Sequence, residues 1–333
     1  MNLHTPHLLF LGDVKNPLDA KTARGMVDWR PDHCVGQLRL PGCEVDLGLP
    51  DLTPAAAYAL GARSLVVGVA PLGGQLAPEW LASMQGALRE GLSLVSGLHQ
   101  RLVDIPALAS EAMARNLALI DVRVPPGEIA IATGETRTGK RLLTVGTDCC
   151  VGKKYTALAL ARALTDEGMK ATFRATGQTG IMISGQGIPM DAVISDFLSG
   201  AAEQLSPNAD HDHWDIIEGQ GSLFHPAYAA VTLGLLHGSQ PDALVLCHDV
   251  SRTTIDEYEA FPIPDIKACV RRYEEAAQLT NAAARVVGIS LITSASSDAE
   301  ALVTCEALSQ STGLLCFDPL RHAMTPLISS LLS

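Results

Sequence analysis

The sequence predicts an α/β protein made of two doubly wound domains, each with a parallel β-sheet covered by helices. Three observations support this prediction. The chain has 333 residues, more than one ordinary hydrophobic core organises. Short apolar runs alternate with helical stretches along most of it, a pattern typical of parallel sheets. The alternation stops at residues 124–140 and then restarts, so we expect domains over residues 1–130 and 131–333.

The elements of the first half follow from apolar runs and helix signals. Pro54 and Pro78 stand where helices begin, and Gly91 stands where one ends. Strands are predicted at residues 8–12, 64–70, 92–100 and 117–123, and helices at residues 20–30, 53–60 and 78–91.

In the second half, a strand leads into a glycine-rich turn and a long helix rich in alanine and leucine. Strands are predicted at residues 142–145, 170–174, 214–218, 243–247, 286–292 and 314–317. Longer helices are predicted at residues 266–284 and 297–312. The repeated order of strand and helix indicates a second parallel sheet.

Composition excludes several classes of function. The formal net charge is −12, which argues against nucleic acid or an anionic membrane as the main partner. Aromatic residues are 4% of the chain, too few for a single-strand stacking platform. With 47% hydrophobic residues, the chain can bury a large core. A small-molecule partner is therefore expected. The Ala/Leu-rich helices of the second half also favour a homo-oligomer, although burial in the core explains these helices as well.

Eight cysteines are present, but no C-x-x-C pair occurs, so no metal site is expected. The N-terminal apolar run is too short for a secretory signal, and no apolar run is long enough to span a membrane. A cytoplasmic location with reduced cysteines is expected.

The turn GTDCCVGKKYT at residues 146–156 carries the strongest chemical signal. Phosphate binding needs inward-pointing backbone N–H groups, a helix N-terminus and a lysine, and glycine lets the backbone approach closely. An ordinary strand-to-helix turn with a solvated lysine is the alternative. The predicted phosphate-binding residues are Gly146, Thr147, Cys149, Cys150, Val151, Gly152, Lys153, Lys154 and Tyr155.

The turn departs from nucleotide hydrolases at one position. It resembles the GTDT-x-VGKT loop of dethiobiotin synthetase and its P-loop relatives, but Lys154 stands where a Ser or Thr hydroxyl would bind Mg²⁺. An ammonium group neutralises phosphate and cannot ligate a cation. The turn is therefore expected to bind a phosphorylated ligand without hydrolysing it, and a role for Mg²⁺ is doubtful.

Candidate catalytic residues follow a predicted strand in WDIIEGQGSLFHPAY. Glu218 ends that strand, at the sheet edge where ligands bind in open α/β folds. Glu218 or Asp148 is a candidate general base, and Gln220 a candidate oxyanion donor. His225 is a further candidate, with a capped turn as its alternative role; a satisfied strand-end carboxylate is the alternative for Glu218.

Candidate substrate-binding residues lie in two other segments. Within residues 173–197, Arg174 ends a predicted strand, and the glycines between residues 177 and 187 are expected to form a flexible loop. Arg174, Gln178 and Thr179 are available to polar ligand groups, and an ordinary surface loop is the alternative. Arg252 follows another predicted strand in CHDVSR. Either arginine can bind a carboxylate through two hydrogen bonds.

Taken in this order, VGTDCCVGKKYTALAL, FRATGQTGIMISGQGIPMDAVISDF and DIIEGQGSLFHPAY resemble the D-glutamate N-acetyltransferase family. The resemblance covers essentially the whole chain. It implies a Rossmann-like N-terminal domain, a P-loop NTPase-like C-terminal domain, and acetyl transfer from acetyl-CoA to the amino group of D-glutamate or a related D-amino acid, in D-amino-acid catabolism.

Two alternatives stay open at this point. An ATP- and Mg²⁺-dependent ligase or kinase of the dethiobiotin synthetase kind is supported by the turn and by Glu218, and Lys154 argues against it. A regulatory protein that binds a nucleotide or CoA without turnover is the other alternative.

Overall fold

The computed structural model describes residues 3–332, which divide into two compact units. The first unit comprises the described residues up to Pro125 together with Gln178–Pro189, and the second comprises Pro126–Gly177 and the described residues from Met190 onward. Each unit contains one parallel sheet flanked by helices, which confirms the predicted fold class.

The first unit has a five-stranded parallel sheet in the spatial order β2-β1-β3-β4-β5. Its strands are β1 (His7–Gly12), β2 (Cys34–Arg39), β3 (Ser64–Val67), β4 (Ser93–Ser96) and β5 (Leu119–Asp121). Its first four helices are α1 (Lys21–Trp29), α2 (Pro54–Ala59), α3 (Leu81–Arg89) and α4 (Pro106–Arg115). The sequence analysis missed β2 and α4.

The core of the first unit forms where buried strand residues meet α3 and α4. The Phe10 and Trp80 rings pack edge to face with centroids 5.6 Å apart, and the Trp80 indole N–H donates to Asp13 at 2.8 Å. A buried tryptophan keeps a polar partner in this way. Other buried members include Leu8, Leu65, Val67, Met84, Leu88 and Leu94.

The second unit has a six-stranded parallel sheet in the order β13-β12-β9-β6-β8-β7. These strands are β6 (Lys140–Gly146), β7 (Lys170–Arg174), β8 (His213–Ile217), β9 (Ala243–Asp249), β12 (Arg285–Ile292) and β13 (Leu315–Phe317). A separate antiparallel hairpin joins β10 (Thr254–Ile255) to β11 (Tyr258–Pro262). All six predicted strands of this half are present, with bounds shifted by a few residues.

Helices cover both faces of the second sheet. They are α5 (Lys153–Asp166), α7 (Leu198–Leu205), α8 (Ala229–Ser239), α9 (Ile266–Ala277), α10 (Asp298–Thr312) and α11 (Thr325–Leu332). Helix α9 ends seven residues earlier than predicted, and α10 begins with a capping box made by Ser297 and Glu300. No helix in the described part of the chain is long and apolar enough to cross a membrane.

The prediction of a flexible loop within residues 173–197 was wrong in part, because this segment contains a helix. It contains α6 (Gln178–Ser184), whose residues Thr179, Gly180, Ile181, Met182 and Ile183 are buried. Helix α6 belongs to the first unit and packs against α1. The three consecutive apolar residues Ile181–Ile183 explain why a helix forms here. Burial of these side chains stabilises the helix although its sequence contains glycine.

Gly238 of α8 and Gly86 of α3 provide a matched test of helix packing. A Cβ on Gly238 would lie 2.1 Å from the Ser199 carbonyl oxygen, whereas a Cβ on Gly86 would meet nothing within 4 Å. We expect Gly238→Ala to destabilise the second unit by about 1–3 kcal/mol through overpacking. Gly86→Ala should instead stabilise the first unit by about 0.5–1 kcal/mol.

Thermal unfolding followed by circular dichroism checks both changes, with each unit's transition assigned separately. An unchanged or raised midpoint for Gly238→Ala would contradict the close approach of α8 to Ser199.

Candidate functional site

The glycine loop (residues 146–152) joins β6 to α5 at the carboxyl edge of the second sheet. The Gly146 carbonyl oxygen accepts hydrogen bonds from the Tyr273 hydroxyl at 2.6 Å and the Ser222 hydroxyl at 2.8 Å. At the other end, Gly152 has a φ of +94°, a conformation that favours glycine. The loop is thus fixed at both ends by backbone geometry and buried hydroxyl groups.

The segment after β8 lies directly against β6 and the loop. A Cβ on Gly219 would lie 1.8 Å from the Thr144 carbonyl oxygen, so only glycine fits there. The Gly219 N–H donates to the Thr144 hydroxyl at 2.9 Å. This close approach places residues 218–225 beside the glycine loop.

Two lysines stand at the start of α5. Lys153 is buried, and its ammonium group donates to the Asp148 carbonyl oxygen at 2.7 Å. The Lys154 ammonium lies 5.1 Å from the centroid of the Tyr155 ring. Positive side chains and a helix N-terminus together favour an anionic ligand at this position.

The Asp148 carboxylate is fully buried within the loop. One of its oxygens accepts from Arg252 Nη1 at 2.6 Å and from the Asp256 backbone N–H at 2.8 Å, and the other accepts from the Cys149 N–H at 2.6 Å. Arg252 also donates to the Cys149 carbonyl oxygen at 3.0 Å. Asp148 therefore joins the glycine loop to the segment after β9, and its oxygens are occupied by donors of the chain.

Glu218 lies just after β8 and is buried. Its Oε2 accepts backbone hydrogen bonds from Thr176 at 2.9 Å and Gly177 at 3.1 Å. Burial raises the pKa of the Glu218 carboxyl, and the two hydrogen bonds and the nearby charges of Lys154 and Lys153 oppose the rise. A carboxyl held in this way is suited to proton exchange nearer neutral pH than an ordinary glutamate.

Gln220 is held near Glu218 through a shared threonine. The Gln220 amide donates to the Thr176 hydroxyl at 3.2 Å, and that hydroxyl donates to the Glu218 carbonyl oxygen at 2.7 Å. The structure thus brings together the predicted residues Glu218 and Gln220 and adds Thr176, which the sequence analysis missed.

The orientation of the His225 ring is fixed. Its Nδ1 accepts from the Ala227 backbone N–H at 3.1 Å, so the neutral ring carries its proton on Nε2. Burial lowers the pKa of His225, although the carboxylates of Asp148 and Asp256 oppose this. In this arrangement His225 is a neutral hydrogen-bond donor rather than a base.

Asp148, Cys149 and His225 have potential metal-ligand atoms within 4.8 Å of one another. Burial raises the pKa of the Cys149 thiol to about 11, which opposes the thiolate form that binds metals. Asp148 already accepts a hydrogen bond from Arg252, and the ammonium group of Lys153, at the start of α5, donates to the Asp148 carbonyl oxygen. The local charge therefore favours an anion over a metal ion.

The remaining predicted substrate residues lie in different places. Arg174 does not point to the glycine loop, because its Nε donates to Asp215 at 2.7 Å, back along β8. Gln178 and Thr179 belong to the first unit. There the Thr179 hydroxyl lies 3.1 Å from that of Thr22. Arg252, which belongs to the second unit, reaches the glycine loop through its hydrogen bonds to Asp148 and the Cys149 carbonyl oxygen.

Several residues of the site were missed by the sequence analysis. Asp256 and Tyr258 belong to the hairpin after β9, and Tyr273 comes from α9. His248 is the last residue but one of β9 and lies near the loop, with Nδ1 at 3.0 Å from the Thr147 hydroxyl. The sequence did contain a signal for His248, because it comes directly after a predicted strand and next to Asp249.

Comparison with known proteins identifies the relatives of the chain. A family model described as "Domain of unknown function (DUF1611_C) P-loop domain" matches residues 129–328, and "Domain of unknown function (DUF1611_N) Rossmann-like domain" matches residues 38–125. A D-glutamate N-acetyltransferase from Tritonibacter scottomollicae is 49% identical over 99% of both chains. Another, from Pseudoalteromonas sp., is 47% identical over 99% of this chain and 100% of its own.

A solved structure gives the same result at the level of the fold. The crystal structure of a DUF1611 family protein from Anabaena variabilis ATCC 29413 has a TM-score of 0.88 and 32% identity to this chain. The match covers 98% of this chain and 100% of that one.

Proposed function

The chain belongs to the DUF1611 family, and we propose that it transfers the acetyl group of acetyl-CoA to the amino group of D-glutamate or a related D-amino acid. The observation that carries the proposal is identity of 47–49% over nearly the whole chain to two proteins named D-glutamate N-acetyltransferase. In this role the enzyme would act in D-amino-acid catabolism.

The glycine loop is the proposed binding site for the phosphates of the donor. Acetyl-CoA carries a pyrophosphate and a 3′-phosphate, which need positive charge and inward N–H groups. Lys153 and Lys154 at the N-terminus of α5 supply the charge. On binding, Lys153 would exchange its hydrogen bond to the Asp148 carbonyl oxygen for one to a phosphate oxygen.

Lys154 separates this function from ATP-dependent chemistry. In a ligase or kinase of the dethiobiotin synthetase kind, a hydroxyl at this position would help to hold Mg²⁺. The ammonium of Lys154 repels a divalent cation and attracts phosphate. Acetyl transfer therefore explains why a lysine stands at position 154, whereas ATP-dependent chemistry does not explain it.

Glu218 is the proposed general base. The amino group of an amino acid is largely protonated at neutral pH, so a base must take its proton before it attacks. The freed amine nitrogen then bonds to the thioester carbonyl carbon. As the C–S bond breaks, the nitrogen loses its second proton to solvent, and Glu218 passes the first proton to the CoA sulfur. Gln220 or backbone N–H groups would stabilise the oxyanion formed at the carbonyl oxygen.

The other charged residues have proposed supporting roles. Arg252 is the candidate for a substrate carboxylate, because it contacts the glycine loop, whereas Arg174 is directed to Asp215 on β8. Asp148, the second candidate base, already accepts hydrogen bonds from the chain, which favours Glu218. Gln178 and Thr179 stay candidates for polar contacts with the substrate.

An assay of CoA thiol release tests the function directly. With acetyl-CoA present, we expect D-glutamate to accelerate thiol release far more than L-glutamate does, and EDTA to leave the rate unchanged. Release that is no faster than the background with any amino acid would refute the proposal. Turnover of ATP that depends on Mg²⁺ would instead support the ligase or kinase alternative.

Lys153→Ala tests the role of the glycine loop. Loss of the buried ammonium should raise the KM for acetyl-CoA at least about tenfold, because hydrogen bonds to charged groups contribute about 1.5–3 kcal/mol. Lys267→Ala, which removes an exposed lysine on α9, serves as the control. If the KM for acetyl-CoA is the same in both variants as in the unaltered enzyme, this result would argue against phosphate binding at the loop.

Glu218→Gln tests the proposed base. We expect kcat to fall by about 10²–10⁴-fold, with a smaller effect on the KM for acetyl-CoA. Since burial raises the pKa of Glu218, activity of the unaltered enzyme should increase with pH through a value above that of an ordinary glutamate. The exposed Glu306→Gln is the control. If the acidic limb of the pH profile survives in Glu218→Gln, another group is the base.

A further inference from the structure

Three aromatic side chains form a partly exposed surface around His225, which we call the aromatic wall (Tyr228, Tyr258 and Phe261). The His225 ring lies 4.5 Å from Tyr228 and 5.1 Å from Tyr258, measured between centroids. Tyr258 and Phe261 are 6.2 Å apart. Tyr228 is 53% exposed and Phe261 48% exposed, so much aromatic surface faces the solvent in a chain with few aromatic residues.

The aromatic wall is continuous with the glycine loop. His225 is buried between the two, with a ring nitrogen within 4.8 Å of side-chain atoms of Asp148 and Cys149. The hairpin that carries Tyr258 and Phe261 is tied to the loop by the hydrogen bond from the Asp256 N–H to Asp148. A ligand bound to the loop through phosphate would therefore have aromatic faces next to it.

We propose that the aromatic wall binds the adenine ring of the acetyl donor by stacking, an inference that rests on the proposed function. A purine ring is flat and uncharged, and stacks on tyrosine or phenylalanine without needing a specific hydrogen-bond pattern. The exposed rings of Tyr228 and Phe261, with the partly buried ring of Tyr258, provide such surfaces beside the proposed phosphate site.

The strand order favours adenine over the pantetheine arm as the occupant. The hairpin with Tyr258 and Phe261 follows β9, whereas Glu218 and Tyr228 follow β8, and β6 with its glycine loop lies between these two strands. The pyrophosphate of CoA joins the nucleoside to the arm that ends in the thioester. With the thioester directed to the β8 side, where the proposed base lies, the nucleoside is directed to the β9 side.

The hairpin carries three acidic residues, Asp256, Glu257 and Glu259, of which the first two lie in its turn. Tyr258 and Glu259 are neighbours on strand β11, so their side chains point to opposite faces of the ribbon. Asp256 is paired with Arg252 at 3.6 Å. The face of Tyr258 is thus separated from the nearest acidic side chain of its own strand.

The test compares two acetyl donors, acetyl-CoA and acetylpantetheine, which lacks the nucleotide. For Tyr258→Ser and for Phe261→Ser we expect the KM for acetyl-CoA to rise about tenfold, the size expected from the loss of one stacking contact. The KM for acetylpantetheine should not change. Tyr258→Phe should keep the low KM, and Tyr58→Ser, at a 47% exposed tyrosine of the first unit, is the control.

Each other outcome overturns the inference. An equal rise in KM for both donors would mean that the aromatic wall binds the pantetheine arm or positions His225. No rise in KM for either donor would show that the donor does not contact the aromatic wall. These results differ from failure of the proposed function, in which the unaltered enzyme would acetylate no amino acid with either donor.

Discussion

The arrangement at the carboxyl edge of the second unit's sheet depends on the hydrogen bonds that the buried carboxylate of Asp148 accepts. It accepts hydrogen bonds from its own loop, from Arg252 and from the hairpin after β9. A buried charge is tolerated only when it is paired and hydrogen-bonded. The need to satisfy Asp148 therefore fixes the glycine loop, Arg252 and the hairpin relative to one another.

A second constraint acts from the opposite side of the loop. Gly219 packs against the Thr144 backbone, and Tyr273 and Ser222 both donate to the Gly146 carbonyl oxygen. These contacts, all within the chain, fix the backbone of the loop from the side of β8 and α9.

The sequence was sufficient to predict local features. Apolar runs located the parallel strands, and the strand-turn-helix pattern located the glycine loop and Glu218 at one sheet edge. Strand β2 was missed because Gly36 and Gln37 interrupt its apolar character, and α4 because no side chain caps its start. Helix α6 was missed because its glycine and threonine are typical of loops.

Contacts between distant parts of the chain could not be predicted. Arg252 and Asp148 are 104 residues apart, and Tyr273 and Gly146 are 127 apart; neither pairing leaves a local pattern. Arg174 ends β7, as predicted, but its guanidinium donates to Asp215 on the neighbouring strand β8. The partner of a charged side chain depends on tertiary neighbours, which periodicity does not reveal.

The assignment of Gln178–Pro189 to the first unit has a consequence for dividing the protein. A cut after Pro125 does not yield two complete halves, because the N-terminal fragment would lack α6 and the C-terminal fragment would carry its buried face without the helix α1 that covers it. The two sheets are therefore linked by three passages of the chain rather than one. Exchange of one unit between relatives would have to carry these twelve residues along with the N-terminal segment.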